Sequence, residues 1–170
     1  MSIDNCPYDF DRLANERMAL RFGELKSAMV RPLNAAGLVG YKSATKEALQ
    51  FLDKPADFAG CYVFLNIDIP VYVGISRTVV RRLTQHLNHV SHHSASLVYR
   101  MASRVYDHEL KREQAMADDR FRDAFLSAQQ QLQKMRVAFI EVPDDVELYL
   151  FELYGAMKLN TSQWNTFRTH

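Results

Sequence analysis

The chain lacks the features that mark the specialised classes of protein. It has only two cysteines in 170 residues, Cys6 and Cys61, and no CxxC pair. A disulfide framework is therefore excluded, and a reducing, cytoplasmic setting is the expectation. No apolar run reaches the roughly 20 residues needed to span a bilayer. The opening MSIDNCPYDF is acidic and mixed, without the basic and apolar regions of a secretory signal. Internal repeats, low-complexity tracts and zinc-finger spacings are absent. Net charge is also scarce, at +1, so an overall basic protein that holds polyanions by charge alone is not indicated. A hydrophobic fraction of 48% is enough for a soluble globule with a modest core and an appendage.

The charge that is present is unevenly spread. Residues 1–59 carry eight Lys/Arg and eight Asp/Glu, residues 60–136 eleven and seven, and residues 137–170 two and five. The middle stretch is thus the expected contact for a polyanion, and the acidic end suits a cation.

Apolar spacing over residues 9–30, with Phe10, Leu13, Leu20 and Leu25, predicts a helix. Pro32 and the stretch from Asn34 to Gly40 punctuate it. Ser43 or Thr45 can cap a second helix that ends near Leu52, before Lys54-Pro55. Residues 1–59 therefore read as a helical N-terminal extension. From Gly60 the pattern becomes β-rich. Cys61 to Leu65 and Val71 to Val73 are two short strands joined by a tight connection through Ile67, Asp68 and Pro70, which makes a hairpin. A helix is predicted over 78–87 and another from Ser94, as its cap, to Tyr106, with Leu97, Met101 and Val105 on one face. Residues 109–134 read as helical and residues 137–142 as a third strand. Pro143-Asp144-Asp145 opens a last helix that runs to Lys158, and an irregular tail follows. The expected class is α+β: a small three-stranded antiparallel sheet flanked by helices.

Tyr62 and Tyr72 fall one on each hairpin strand. Arg82 and His86, four apart, share a helix face. Taken singly, each is an ordinary strand or helix residue; the ordered set carries the meaning. Gly60-Cys61-Tyr62, Tyr72-Val73-Gly74 and Arg82-Leu83-Thr84-Gln85-His86 together resemble the signature of the GIY-YIG nucleases. Cys61 departs from the aliphatic residue usual between the glycine and the tyrosine. Glu152, followed thirteen residues later by Asn165, resembles the family's glutamate helix and its asparagine. Glu147 with Asn160 is a competing pair at the same spacing. The resemblance covers residues 60–87 and 137–166, within a domain of residues 60–170. Residues 88–136 read as a helical insertion.

The resemblance implies a metal-dependent endonuclease that hydrolyses phosphodiester bonds in nucleic acid, DNA rather than RNA. Such a reaction needs an activated water, neutralisation of added negative charge and help for the leaving oxygen. Glu152 would hold one divalent ion, Mg²⁺ or Mn²⁺, with waters completing its shell. Arg82 would bind the scissile phosphate through its planar fork. Tyr62 would serve as general base or orient the water, which requires nearby positive charge, since a free phenol has a pKa of about 10. Tyr72 and His86 would bind phosphate or relay protons, and Asn165 would position groups through its amide. Specificity would come from the N-terminal extension, the insertion or a homodimer.

His86, His89, His92 and His93 crowd one segment at spacings that a zinc site uses, without a nearby cysteine or carboxylate to complete one. The expectation is that His86 belongs to the active site and the others face solvent or phosphate. Arg100, Arg104, Lys111 and Arg112 could follow a nucleic-acid backbone or simply face water. Trp164 and Phe167 could stack on a base, but packing of the tail is favoured. The alternative function is a nucleic-acid-binding or regulatory module on the same fold without catalysis.

Overall fold

The structure is a computed structural model that describes residues 3–106 and 109–167. Residues 168–170 of the expected irregular tail lie outside these. The helices are α1 (Phe10–Arg12), α2 (Met18–Met29), α3 (Lys46–Phe51), α4 (Val79–Asn88), α5 (Ser96–Val105), α6 (Arg112–Ala117), α7 (Asp119–Gln133) and α8 (Asp145–Lys158). The strands are β1 (Leu33–Asn34), β2 (Gly60–Asn66), β3 (Ile69–Ser76) and β4 (Arg136–Glu141). Among the described residues, no helix is long and apolar enough to cross a membrane.

The α+β class holds, but the sheet has four strands, ordered β1-β4-β2-β3, where three were expected. The extra strand is only two residues long, too short to leave a period-2 pattern. It lies beside Pro32, where the sequence reads as punctuation. Other elements also shift. The stretch read as one helix over 109–134 breaks at Asp118, whose carboxylate caps α7 through the Phe121 N–H. Ser94 does not cap α5, which begins at Ser96. Val105 does not share the buried face of Leu97 and Met101; it is exposed.

The chain divides into two compact units. One comprises Met1–Leu33, Asp57–Val79 and Arg136–His170; the other comprises Asn34–Ala56 and Val80–Met135. The first helices belong to the unit that holds the hairpin, and the next stretch belongs with the insertion.

In the first unit, β2 pairs antiparallel with both β3 and β4. Cys61, Val63 and Leu65 point to one face of the sheet. There they join Val73, Ala138 and Ile140, and Met18 and Leu25 of α2 and Leu148 and Phe151 of α8 cover them. Burial of each large side chain contributes about 1.5–3 kcal/mol. Gly60 is required for the close approach of β2 and β4, since a Cβ there would run into the Ile140 carbonyl. The hairpin turn is only Ile67 and Asp68, both with positive φ (47° and 66°). Such a turn matches the twist of the strands but strains a β-branched residue such as Ile67. Pro70 lies inside β3, opposite Leu65, next to a register shift at Phe64/Leu65. An edge strand tolerates it because the missing N–H faces no partner strand.

An ion cluster ties α2 to α8. Glu147 is 1% exposed, and Arg17 and Arg21 both donate to it, at 2.8 and 3.0 Å for the shortest pairs. Side chains also cap the starts of α1 through Asp9, α3 through Thr45 and α8 through Asp144.

In the second unit α5 and α7 pack together through Tyr99 and Phe121, with ring centroids 5.1 Å apart. The C-terminal end of α4 leaves carbonyls without helical partners. Gln129 donates to the His86 and His89 carbonyls, at 3.3 and 2.9 Å, and Gln133 to that of Leu87, at 2.7 Å. The Asn88 amide donates to the Leu38 and Thr84 carbonyls.

Removing one partner of a buried ion pair leaves uncompensated charge, which costs about 3–5 kcal/mol. Glu147→Ala is expected to lower unfolding free energy by that amount in urea titrations. Glu152→Ala, on the same helix but half-buried and outside that cluster, is expected to cost less.

Candidate active site

The hairpin register sets the tyrosines. Tyr62 stands opposite Gly74, and Tyr72 opposite Phe64. All four residues alternate with the core positions Cys61, Val63 and Val73, so both phenols lie on the sheet face opposite α8. Their ring centroids are 6.2 Å apart, and Tyr62 meets Phe64 edge-on at 6.0 Å. Tyr62 is 1% exposed, and Tyr72 is half-buried. The ring of Tyr62 crosses β3 over Gly74. A Cβ at that glycine would sit 2.6 Å from the Tyr62 hydroxyl and 2.8 Å from the Tyr72 ring. Gly74 is therefore a steric requirement of the paired phenols rather than a strand stop, and β3 continues through it to Ser76.

Asn165 closes the free edge of this strand. The Val73 N–H donates to Asn165 Oδ1 at 2.9 Å, and Asn165 Nδ2 donates to the Val73 carbonyl at 2.7 Å. One side-chain amide thus replaces the partner strand that an edge residue lacks. It holds the backbone between Tyr72 and Gly74.

Glu152 reaches the same strand from α8. It is half-buried and lines a cavity of about 240 Å³ with Ile75, Ser76, Arg77, Asp145, Leu148 and Tyr149. The two phenols stand on one face of the hairpin, whereas Glu152 approaches β3 from the α8 face, beside Ile75 and Ser76. The negative charge of Glu152 is felt at Cys61, whose thiol is raised first by burial and then by that carboxylate. Arg77 and Asp145 also line the cavity, and sequence reasoning missed both. Arg77 donates to Asp145 through Nε, at 3.1 Å, and through Nη2. Their contact joins residues 68 apart, which no local pattern announces.

The competing pair has other work. Both oxygens of Glu147 are held by Arg17 and Arg21. Asn160 has a φ of 54° and ends α8, in the left-handed conformation that asparagine tolerates. Trp164 packs half-buried after that turn. Phe167 is half-exposed and borders a cavity with Met157 and Asn165.

Arg82 and His86 belong to the second unit. Arg82 is half-buried and donates to the Ser94 carbonyl at 2.9 Å and to Ser96 Oγ at 2.7 Å. His86 has no exposed surface. Burial, then the charges of Arg82 and Arg100, hold its imidazole well below the usual pKa, so it is neutral. His92, expected at the surface, is 9% exposed and likewise lowered, first by burial. His89 is half-buried, with Nε2 3.2 Å from the Lys42 carbonyl, and only His93 is exposed. Among the described residues, no three His, Cys, Asp or Glu side chains are grouped to hold a metal ion. Arg112 is exposed and lies over the Tyr99 ring at 5.0 Å.

A divalent ion of the kind the fold implies fits Glu152. This carboxylate faces a cavity roomy enough for coordinated waters, and a single carboxylate with waters suits Mg²⁺. Asp145 shares the cavity but is engaged by Arg77.

Two outcomes follow from this geometry. Asn165→Asp replaces a donor with an oxygen that faces the Val73 carbonyl. It is expected to cost about 1–3 kcal/mol in denaturant titrations at neutral pH. His86 and His92 are harder to protonate when folded than when unfolded. Their contribution to stability is full above the unfolded pKa of about 6.5 and is lost as pH falls below it. The urea midpoint should drop between pH 7 and pH 5, and His86→Gln should flatten that slope.

A family model described as the GIY-YIG catalytic domain matches residues 58–160. No curated protein matches the chain. No solved structure does. The matched span takes in the hairpin, α4, the helices after it, β4 and all of α8. The chain belongs to the GIY-YIG family, whose nucleases act on nucleic acid.

Proposed function

We propose that the chain is an endonuclease that cuts phosphodiester bonds in DNA with the help of Mg²⁺ or Mn²⁺. The observation that carries this reading is the division of labour between two glutamates on one helix. Glu147 is locked in a buried ion cluster, whereas Glu152 lines a cavity with Ile75 and Ser76 of the hairpin.

Glu152 would hold the ion, which supplies charge stabilisation and lowers the pKa of water. Tyr62 would orient the attacking water or accept its proton at the phenolic oxygen. Tyr72, beside it, would steady a phosphate oxygen. Arg82 would bind the scissile phosphate with its planar fork. His86, neutral and enclosed, would pass a proton or hold its neighbours in place rather than meet phosphate as a cation. Asn165 would keep Tyr72 in register through the Val73 backbone. The second unit carries twelve Lys/Arg against eight Asp/Glu, and the first unit nine against twelve. That excess supports a polyanionic substrate held mainly by the second unit. Two free thiols, both buried, accord with a reducing cytoplasm.

One observation favours the second reading, a nucleic-acid-binding module without catalysis: Tyr62 and His86 have almost no surface to offer a substrate. A plasmid assay separates the two. With supercoiled DNA and Mg²⁺ or Mn²⁺, nicking is expected, with none in EDTA. Glu152→Ala is expected to lower the rate at least about 100-fold without a change in melting temperature. An RNA substrate run in parallel tests the preference for DNA. Binding in gel shift without nicking would select the second reading. Nicking that survives both EDTA and Glu152→Ala would remove Glu152 from the mechanism.

A further inference from the structure

We propose that Ser96, together with the Ser94 backbone carbonyl, positions Arg82 by occupying the end of its guanidinium and leaving the side of the fork for a phosphate. The inference rests on the reading of Arg82 as a phosphate ligand and adds what aims it.

A guanidinium offers five N–H groups in one plane. Two point outward from the end, one from each terminal nitrogen, and the Nε–H runs parallel to the remaining Nη2–H along one side. Carboxylates and phosphates can pair with either fork. In this chain Nη1 donates to the Ser94 carbonyl at 2.9 Å, and Nη2 donates to Ser96 Oγ at 2.7 Å. Those two acceptors are two residues apart and together engage both terminal nitrogens. Gln85 Oε1 lies 3.5 Å from Nη1, at the limit of a hydrogen bond. Nε makes no hydrogen bond among the described residues. The side fork is therefore the one open to an incoming oxyanion.

Both acceptors belong to the insertion, and the packing of α5 holds them still. Ala95, Leu97 and Val98, the neighbours of Ser96 in sequence, are buried. A long arginine side chain would otherwise lose several rotamers when it bound its phosphate. An anchored one has lost them on folding, so its fork is already organised. The insertion thus contributes a positioning residue, Ser96, to a motif that lies outside it in sequence.

The experiment reads the arginine directly and does not depend on cutting. The Arg82 Nε–H NMR signal, assigned by its loss in Arg82→Lys, is followed during titration with a short DNA duplex in EDTA. In the wild-type chain the signal should shift on binding. Ser96→Ala should shrink that shift and lower kcat/KM for plasmid nicking about 10-fold, chiefly through kcat, with the melting temperature unchanged. Ser96→Thr, which keeps the hydroxyl, should restore both. In the Arg82→Lys background Ser96→Ala should add no further loss. An Nε–H signal indifferent to DNA, or Ser96→Ala equal to wild type in shift and rate, would overturn the proposal. A signal that moves in a chain that never nicks DNA would leave the arginine contact standing and sink the nuclease reading alone.

Discussion

Tyr62 lying across Gly74 is the contact on which the rest of the candidate site depends. The hairpin register puts the two opposite each other, and only a residue without Cβ lets the phenol cross the strand. The same crossing places Tyr72 beside it and leads β3 on to Ile75 and Ser76, which border the Glu152 cavity. A slip of one residue would send both phenols to the α8 face and bring Cys61 and Val63 out of the core. Burial of alternate residues on that face is therefore what holds the chemistry in place.

Two devices keep that register from drifting at the open edge. Asn165 supplies the hydrogen bonds of an absent neighbour strand at Val73. The ion cluster around Glu147 fixes α8 against the N-terminal helix, so the helix that carries Glu152 has a fixed depth. Residues 10–29, which carry no motif, thus act on the site through Arg17 and Arg21. A charge buried without such partners would destabilise the helix it belongs to.

The second unit shows the same economy of parts. Gln129 and Gln133 satisfy the carbonyls at the end of α4, so the helix bearing Arg82 and His86 is held by polar side chains from α7. His86 is enclosed and uncharged, and Arg82 is anchored at its end by Ser94 and Ser96. Burial and hydrogen bonding thus hold both side chains in place in the folded chain.

Much of this was legible in the residues alone. The hairpin, α4, β4 and α8 follow from period-2 and period-3.6 patterning, and the ordered set from Gly60 to His86 names the family. The chain alone also restricts the late carboxylate to two candidates. It could not choose between Glu147 and Glu152, because spacing is identical and only Arg17 and Arg21, about 130 residues away, decide which one is spent on structure. The two-residue β1, the Arg77–Asp145 contact and the hold of Ser96 on Arg82 were equally hidden. Local sequence determines periodicity, caps and turns, since those forces act over a few residues. Partners brought from distant positions decide burial and charge pairing, and those exist only once the chain has folded.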